Sequence, residues 1–414
     1  MSRQVPMRYR QLFGHREFRG LFAADALSIS GTYLARVAVA SLVFERTGSA
    51  ALTALTFAVS YLPFVFSPWL ASLADLFARR SLLIGCDLAR AVCIALILVP
   101  GVHLMAIWAL LFAEAIWRIP WGAARLALLS DILHDDLFPA GNALVASSRQ
   151  ALQVGGFAIG GVAVAVIGVR VTLAVDAASY VVSAAIVAAA VGRRPAAWRS
   201  VDAGQATRPG TWQSTRQGIH TVVRSAQLRR LYLLLALGPA VLVITEGLAV
   251  PFAAELGGHV TLAGLIMAAP PLGTVVGLVL LGRLPLGRQR RVVTPLALGC
   301  GLTVALTGFA AMLPGARVLV LVLLIVAGGC VSYISAIQAE ISALIPSALR
   351  GRLFGLANAV LQLAQGGAIV LGGVLAGSLQ VDEAVVLLAV VGTAGIALAL
   401  RSVPQPQAVV RSSA

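Results

Sequence analysis

The sequence Ala71-Ser-Leu-Ala-Asp75-Leu-Phe-Ala-Arg79-Arg80-Ser81, followed shortly by Asp87-Leu-Ala-Arg90, stands between two long apolar segments. It gathers two carboxylates and three guanidinium groups in a chain whose charged residues amount to 11%. Charge is costly within lipid and favourable at the lipid surface, so a charged turn of this kind is typical of a loop between membrane-spanning helices. The turn therefore predicts a chain that crosses a membrane more than once.

Composition outside this turn points the same way. Of the 414 residues 59% are hydrophobic, and the mean hydropathy is +0.93. Runs of roughly 20 apolar residues, enough to cross the hydrocarbon core, recur along the chain. A soluble protein would need more polar surface, and a membrane barrel would alternate in polarity over strands of about 10 residues. The predicted fold class is an all-α membrane protein.

The apolar runs and the glycine and proline breakers between them predict twelve transmembrane helices in two six-helix halves. The predicted spans are residues 18–44, 50–74, 82–100, 104–127, 143–167, 172–191, 229–254, 260–282, 292–313, 318–340, 354–377 and 384–401. The predicted domains are an N-terminal half, residues 1–191, a cytoplasmic linker, residues 192–228, and a C-terminal half with a short cytoplasmic tail, residues 229–414. Duplicated halves are typical of transporters that rock about a central site.

The arginines indicate the orientation. All 31 basic residues are arginine, and the predicted spans leave 23 of them on the side of the N-terminus and three in loops on the opposite side. Positive charge accumulates on the cytoplasmic side of membrane proteins, so both termini are expected in the cytoplasm, with the chain in the cell (inner) membrane. Membrane orientation thus explains the net charge of +15, and no nucleic-acid partner is expected.

Several motifs resemble the major facilitator superfamily of secondary transporters, in particular its branch of enterobactin exporters and macrolide efflux proteins. The signature G-x-L-A-D-R-x-x-R-R stands here as residues 71–80, with Ala71 and Leu76 replacing its first glycine and first arginine. The branch's acid–x–x–Arg is Asp87 to Arg90, and Pro346 to Arg352 fits the segment before the eleventh span. The resemblance implies a monomer that works by alternating access.

The resemblance also implies a cytoplasmic gate, whose candidate residues are Asp75, Arg79, Arg80, Asp87, Arg90, Arg350 and Arg352. Asp75 is expected to meet a helix N-terminus of the other half and to pair with Arg79, although a hydrated loop acid would look the same. Asp87 and Arg90, three residues apart on one helix, can touch at the membrane edge. Such a pair would either support the gate or be structural.

Five further charged residues within the spans are candidates for a substrate and proton cavity: Asp25, Arg36, Glu114, Arg118 and Glu246. Asp25 and Arg36 share a helix face about 16 Å apart and either line a cavity or extend to opposite membrane surfaces. Glu114 and Arg118, spaced i,i+4, either recognise substrate or form a buried pair. Glu246 has no basic neighbour in sequence and is the predicted proton carrier, unless an arginine of another helix pairs with it.

A glycine cluster in the fifth span, Gly156, Gly160 and Gly161, predicts close helix packing. Exporters of the superfamily often carry Gly-Pro-x-x-Gly-Gly at this place, and here Phe157 stands in place of the proline. That departure weakens the inference of antiport.

The predicted function is proton-coupled export of a small amphipathic organic compound, such as a drug or a siderophore-like metabolite. The expected partners are the lipid bilayer and this substrate, without an organic cofactor or a metal. An importer or facilitator of a small metabolite is the alternative, and a non-transporting membrane sensor or scaffold is the rival from another class. An enzyme is not expected, since H-E-x-x-H and G-x-S-x-G are absent, as is the lysine of an ATP-binding loop.

The corresponding turn of the second half, residues 282–291, keeps glycines and arginines but contains no acid. The gate should therefore be asymmetric, and Asp75→Asn should lower the transport rate far more than Arg288→Gln does. Transport by proteoliposomes that contain each variant measures the two losses, and equal losses would contradict the asymmetry.

Overall fold

The computed structural model describes residues 11–133, 137–194, 220–345 and 347–401, with the side chains of these ranges except those of Leu286 and residues 347–352. Throughout the described ranges the regular structure is helical, which confirms the predicted fold class. The first half comprises α1 Arg16–Thr47, α2 Ala50–Val59, a 3-10 turn Leu62–Phe66, α3 Ser67–Leu76, α4 Arg79–Ile97, α5 Leu104–Ile132 and α6 Leu137–Ala190. The second half comprises α7 Ala226–Gly247, α8 Ala249–Glu255, α9 Val260–Gly282, α10 Leu286–Ala311, α11 Arg317–Val331, α12 Tyr333–Leu344, α13 Ser347–Ala376 and α14 Val381–Arg401.

The helices are consistent with twelve membrane crossings. By length and composition, ten spans within the described residues can cross a bilayer. One of them, α6, has 54 residues, or about 81 Å of helix, against a hydrocarbon core of about 30 Å. Gly168, at φ 79° and ψ 164°, turns the chain inside α6, so this helix crosses twice. The 19-residue α4 carries Arg79, Arg80, Asp87 and Arg90 and supplies the remaining crossing.

The second predicted span, residues 50–74, is broken where a single helix was expected. The chain passes from α2 through the 3-10 turn into α3, with Pro63 and Pro68 near the starts of the last two elements. Proline has no backbone N–H to donate, which explains why the α-helical bonding is interrupted here. The break matters because residues 61–71 form much of one wall of the central cavity described below.

Three hydrophobic clusters show where the two halves meet. We call the side at which α1 begins the proximal side and the opposite side distal. One buried cluster joins both halves at the centre and distally, for example Ala54 and Phe57 with Phe252 and Ile266. The proximal ends of the first half form a separate cluster, and those of the second half form another. The halves are therefore packed together distally and have separate cores proximally.

Glycines allow the distal contact between the halves. A Cβ added to Gly161 of α6 would lie 2.9 Å from the carbonyl oxygen of Val260 and 3.0 Å from Cα of Gly264 in α9. In the same way, a Cβ on Gly373 of α13 would lie 2.7 Å from Cβ of Ala54 in α2. Both distances are too short for another side chain, so the helix backbones approach each other directly.

The predicted linker, residues 192–228, lies mainly outside the described residues. The chain is described up to residue 194 and again from residue 220. The three domain boundaries stay predictions.

Replacing Gly161 by alanine should open the distal contact, because the new methyl group would meet backbone atoms of α9. We expect Gly161→Ala to lower the free energy of unfolding by about 1–3 kcal/mol, the usual cost of overpacking. Gly155→Ala is the matched control, since no atom lies within 4 Å of a Cβ there and alanine favours the helix. Thermal unfolding in detergent micelles compares the two, and a Gly161→Ala chain as stable as the control would contradict the account.

Candidate functional site

A cavity of about 1150 Å³ lies between the two halves. The first half contributes residues of α1, the broken second span, α5 and α6, and the second half contributes residues of α7 and α13. Ala71, Arg125 and Gly355 lie in the proximal parts of their helices, and all three line the cavity. The cavity therefore reaches towards the proximal side, and the distal contact described above closes its other end.

The wall of the cavity combines arginines with aromatic rings. Its described charged residues are four arginines and one carboxylate, namely Arg36, Arg118, Arg125, Arg149 and Glu246. Its rings and amides include Tyr33, Tyr61, Phe64, Trp69, Asn358, Gln362 and Gln365. A wall of this composition can bind a molecule that has both an apolar body and a polar group.

Arg36 lies on this wall and contacts two aromatic rings. Its guanidinium carbon is 5.6 Å from the ring centroid of Tyr33 and 5.3 Å from that of Phe57. Among the described residues it forms neither a hydrogen bond nor an ion pair. The rings stabilise its charge through cation–π interaction and leave its N–H donors available.

Among the described residues, Arg118 and Glu114 do not form the direct pair that was one of the two alternatives for their i,i+4 spacing. It donates to the carbonyl oxygen of Ser60 at 2.9 Å, and its guanidinium lies 5.9 Å from the ring centroid of Phe64. The carbonyl of Ser60 is available because the second span is broken immediately after this residue. Arg118 thus faces the cavity.

Arg90 is the partner of Glu114 and the centre of a buried network. Its Nε donates to Glu114 at 2.9 Å, and its Nη1 lies 3.6 Å from a carboxylate oxygen of Asp87. It also donates to the hydroxyl groups of Tyr180 at 2.8 Å and of Thr32 at 3.2 Å. Such a network satisfies the charges that α4 and α5 carry into the membrane.

The predicted position of Asp87 and Arg90 at the membrane edge is wrong. The two side chains are fully or almost fully buried, and Arg90 comes eleven residues, or about 16 Å, after the start of α4 at Arg79. Their depth separates them from the charged turn at residues 75–80. They hold four helices of the first half together.

Asp25 is likewise paired, although not with a residue of its own helix. One of its carboxylate oxygens lies 3.2 Å from Nη2 of Arg149 and 3.9 Å from Nε of Arg125. Sequence reasoning missed both arginines because they belong to α6 and α5, more than 90 residues away. Asp25 therefore lies behind the cavity wall, and the two arginines line it.

Glu246 of α7 lines the cavity from the second half. No described residue forms a hydrogen bond or an ion pair with its carboxylate. Arg36 of the first half lies within electrostatic range across the cavity. The alternative that an arginine of another helix pairs with Glu246 is therefore not seen among the described residues, although the charge of Arg36 acts on it.

The other gate candidates lie around the proximal end of the first half. Arg79 forms an ion pair with Asp131 of α5, and Nη2 of Arg80 donates to the carbonyl oxygen of Ala188 at 2.6 Å. Asp75 is exposed and has an interaction of its own. The side chains of Arg350 and Arg352 lie outside the described residues. The role of these residues as a gate stays a prediction.

The predicted helix packing around Gly156 and Gly160 is seen against α1. A Cβ on Gly156 would lie 2.6 Å from Cβ of Tyr33, and one on Gly160 would lie 3.1 Å from Cα of Leu34. The close approach of α6 to α1 brings Tyr33 and Arg36 to the cavity wall.

A second cavity, of about 30 Å³, lies behind Arg36 and is lined also by Glu114, Asp176 and Tyr180. Its volume suits a single water molecule. Both carboxylate oxygens of Asp176 are buried and have no hydrogen-bond partner in the described protein. Asp176 was not among the predicted site residues, because nothing in the sequence places it beside α1 and α5.

A family model described as transmembrane secretion effector matches residues 11–411 of this chain. No curated protein matches the sequence.

Solved structures of similar fold are transporters of the major facilitator kind. The nucleoside transporter NupG is 13% identical with a TM-score of 0.72, covering 92% of this chain and 98% of its own. A bacterial homologue of the human lysosomal transporter Spinster, inward-facing and unoccupied, is 12% identical with a TM-score of 0.68, covering 95% and 99%. A POT family transporter in complex with a thioalcohol-conjugated peptide is 13% identical with a TM-score of 0.68, covering 92% and 94%. At these identities the likeness shows the fold.

The buried network should contribute far more stability than the surface ion pair. Arg90→Gln leaves the carboxylates of Asp87 and Glu114 without their cation, and we expect a loss of about 3–5 kcal/mol. Arg79→Gln removes the more exposed pair with Asp131 and should cost less than about 1 kcal/mol. Denaturant unfolding in micelles measures both, and similar losses for the two variants would contradict the role given to Arg90.

Proposed function

The chain belongs to the transmembrane secretion effector family of the major facilitator superfamily, and on that premise we propose that it exports a small amphipathic organic compound by alternating access. It is a multi-pass membrane transporter. The description of its family, secretion, supports the outward direction.

The observation that carries the proposal is the central cavity, reaching proximally between two halves that meet distally. The separate proximal cores allow each half to move as a unit. To expose the cavity distally, the contacts of Gly161 and Gly373 must part while the proximal ends approach. Rocking of two halves about a fixed site is the motion that such an arrangement supports.

The distribution of arginines supports a cytoplasmic position for the proximal side and for both termini. In the cell membrane, the described conformation would then open to the cytoplasm, which is the state in which an exporter takes up its substrate.

Glu246 is the proposed proton site. It is the one carboxylate among the described lining residues of the cavity, and it faces Arg36 of the other half. Protonation of Glu246 changes the charge of the interface between the halves by one unit. A change of this kind can shift a conformational equilibrium whose two states differ by a few kcal/mol.

Import or facilitated movement of a small metabolite would use the same cavity and differs from export only in the direction and drive of the flux. A sensor or scaffold would have no net flux. Measurement of flux therefore separates all of these functions.

Cells that lack this protein should release less of at least one organic compound than cells complemented with it. Complementation with Glu246→Gln should leave a residual flux that no longer responds to external pH, because the proposed proton site is gone. Glu383→Gln, an exposed acid at the distal start of α14, is the matched control and should behave as the unchanged protein. Compounds inside the cells and in the medium are quantified by mass spectrometry.

Two results would count against the proposal. If no compound depends on the protein for its release, export is wrong. If Glu246→Gln retains the full pH response, this residue is not the proton site.

A further inference from the structure

We propose that the cavity binds an organic anion with an apolar, ring-containing body, whose carboxylate, sulfonate or phosphate group is held by Arg36 and Arg118. The inference rests on the proposed function in taking this cavity as the transport site. It adds the charge of the substrate, which neither the family nor the fold defines.

The first argument is that these two arginines have no ion pair among the described residues, whereas the other arginines of the cavity wall, Arg125 and Arg149, have one. Arg125 and Arg149 share Asp25, and Arg90 has both Asp87 and Glu114. Within the described residues, Arg118 has one hydrogen bond, to a backbone carbonyl, and its Nε is buried without an acceptor. Arg36 has none.

The second argument is that the two guanidinium groups line the same cavity. Arg36 and Arg118 come from different helices, α1 and α5, and the charge of Arg36 acts unfavourably on that of Arg118. The carboxylate that both can sense, Glu114, is already engaged by Arg90. Two like charges held near each other in an apolar region are unfavourable. An anion placed between them would remove that cost.

Guanidinium chemistry also favours such a ligand. Arginine presents five N–H donors in a planar fork that matches carboxylate and phosphate groups. The aromatic rings beneath Arg36 and Arg118 keep the forks in place without using their donors. The site is thus prepared to bind an anion.

The body of the ligand is indicated by the rest of the wall. Tyr33, Tyr61, Phe64 and Trp69 offer ring surfaces on the side of the first half. The amides of Gln362 and its neighbours on α13 offer neutral polar contacts on the opposite side. This arrangement fits a ring system that carries one anionic group.

Glu246 determines whether proton binding strengthens or weakens the binding of the anion. The titratable and charged groups of the first half that interact with it across the cavity are Arg36, Tyr33 and Tyr61, and α13, packed beside it, contributes neutral amides to the wall. When Glu246 is ionised it competes with the ligand for Arg36, and when it takes up a proton that competition ends. The proton and the anion therefore bind together, and the loaded and empty cavities carry the same net charge.

Because the anion and the proton bind together, they cross the membrane in the same direction. Exchange of substrate against protons, which the sequence predicted, requires that the two exclude each other, and an anion at Arg36 does not meet that requirement. An exported anion would then be driven by its own outward gradient.

The test is equilibrium dialysis of the full chain, purified in detergent, with naphthalene-2-sulfonate and its neutral analogue naphthalene-2-sulfonamide. The sulfonate keeps its charge at all working pH values, so any pH effect belongs to the protein. We expect it to bind at least about tenfold more tightly than the sulfonamide, since each charge-assisted hydrogen bond is worth about that factor. Arg36→Gln and Arg118→Gln should each lower its affinity about tenfold and leave that of the sulfonamide unchanged.

Arg170→Gln is the control, because this arginine is exposed and lies outside the cavity. Acidification should tighten sulfonate binding to the unchanged protein and have no effect in Glu246→Gln, which should bind tightly throughout. Thermal unfolding of each variant verifies that it is folded.

The proposal is overturned if the sulfonamide binds as tightly as the sulfonate, or if Arg170→Gln weakens sulfonate binding as much as Arg36→Gln does. Loss of the pH effect in the unchanged protein would overturn the role given to Glu246. Binding in micelles requires no transport, so the two proposals fail separately. A chain that binds the sulfonate but releases no compound from cells contradicts export alone, and one that exports only neutral or cationic compounds contradicts this inference alone.

Discussion

A charged side chain inside a bilayer must be paired, or must face water or a ligand, and this constraint organises the first half of the protein. Arg90 meets it by bonding residues of α1, α5 and α6 from its place on α4. Asp25 satisfies the constraint by pairing with Arg125 and Arg149. These two clusters fix the helix rotations that expose Arg36 and Arg118 to the cavity, so the positions of the unpaired arginines follow from those of the paired ones.

The distal and proximal ends of the molecule differ in how the two halves pack against each other. Distally, glycine backbones in α6 and α9 approach so closely that no side chain fits between them. Proximally, each half has its own hydrophobic cluster and the cavity separates them. In the part of the chain that the structure describes, the ion pairs lie within the first half and none joins the two halves, which suits an interface that must open and close. A change of one charge at the level of Glu246 can then decide which end is open.

The fold was predictable from the sequence because it depends on local signals. Apolar length and terminal breakers place the last helix at residues 384–401, against Val381–Arg401 in the structure. The partners of the charged residues were less predictable, because spacing along one helix shows which side chains share a face and not what that face meets. Glu114 illustrates the limit, since its partner is Arg90 of the neighbouring helix and not Arg118 one turn away. The break after Ser60, which gives Arg118 its acceptor, also needed the structure.

The central claim is that binding of the ligand and the proton shifts the equilibrium between a cavity open on the proximal side and a cavity open on the distal side. It is tested most directly by the distance between spin labels on Ala71→Cys and Gly355→Cys, which line the cavity from the first and the second half, in a chain whose four native cysteines are replaced. The account predicts that naphthalene-2-sulfonate at acidic pH increases a population with a shorter distance, as the proximal side closes. A distance distribution that stays the same with and without ligand, at acidic and at neutral pH, would contradict it.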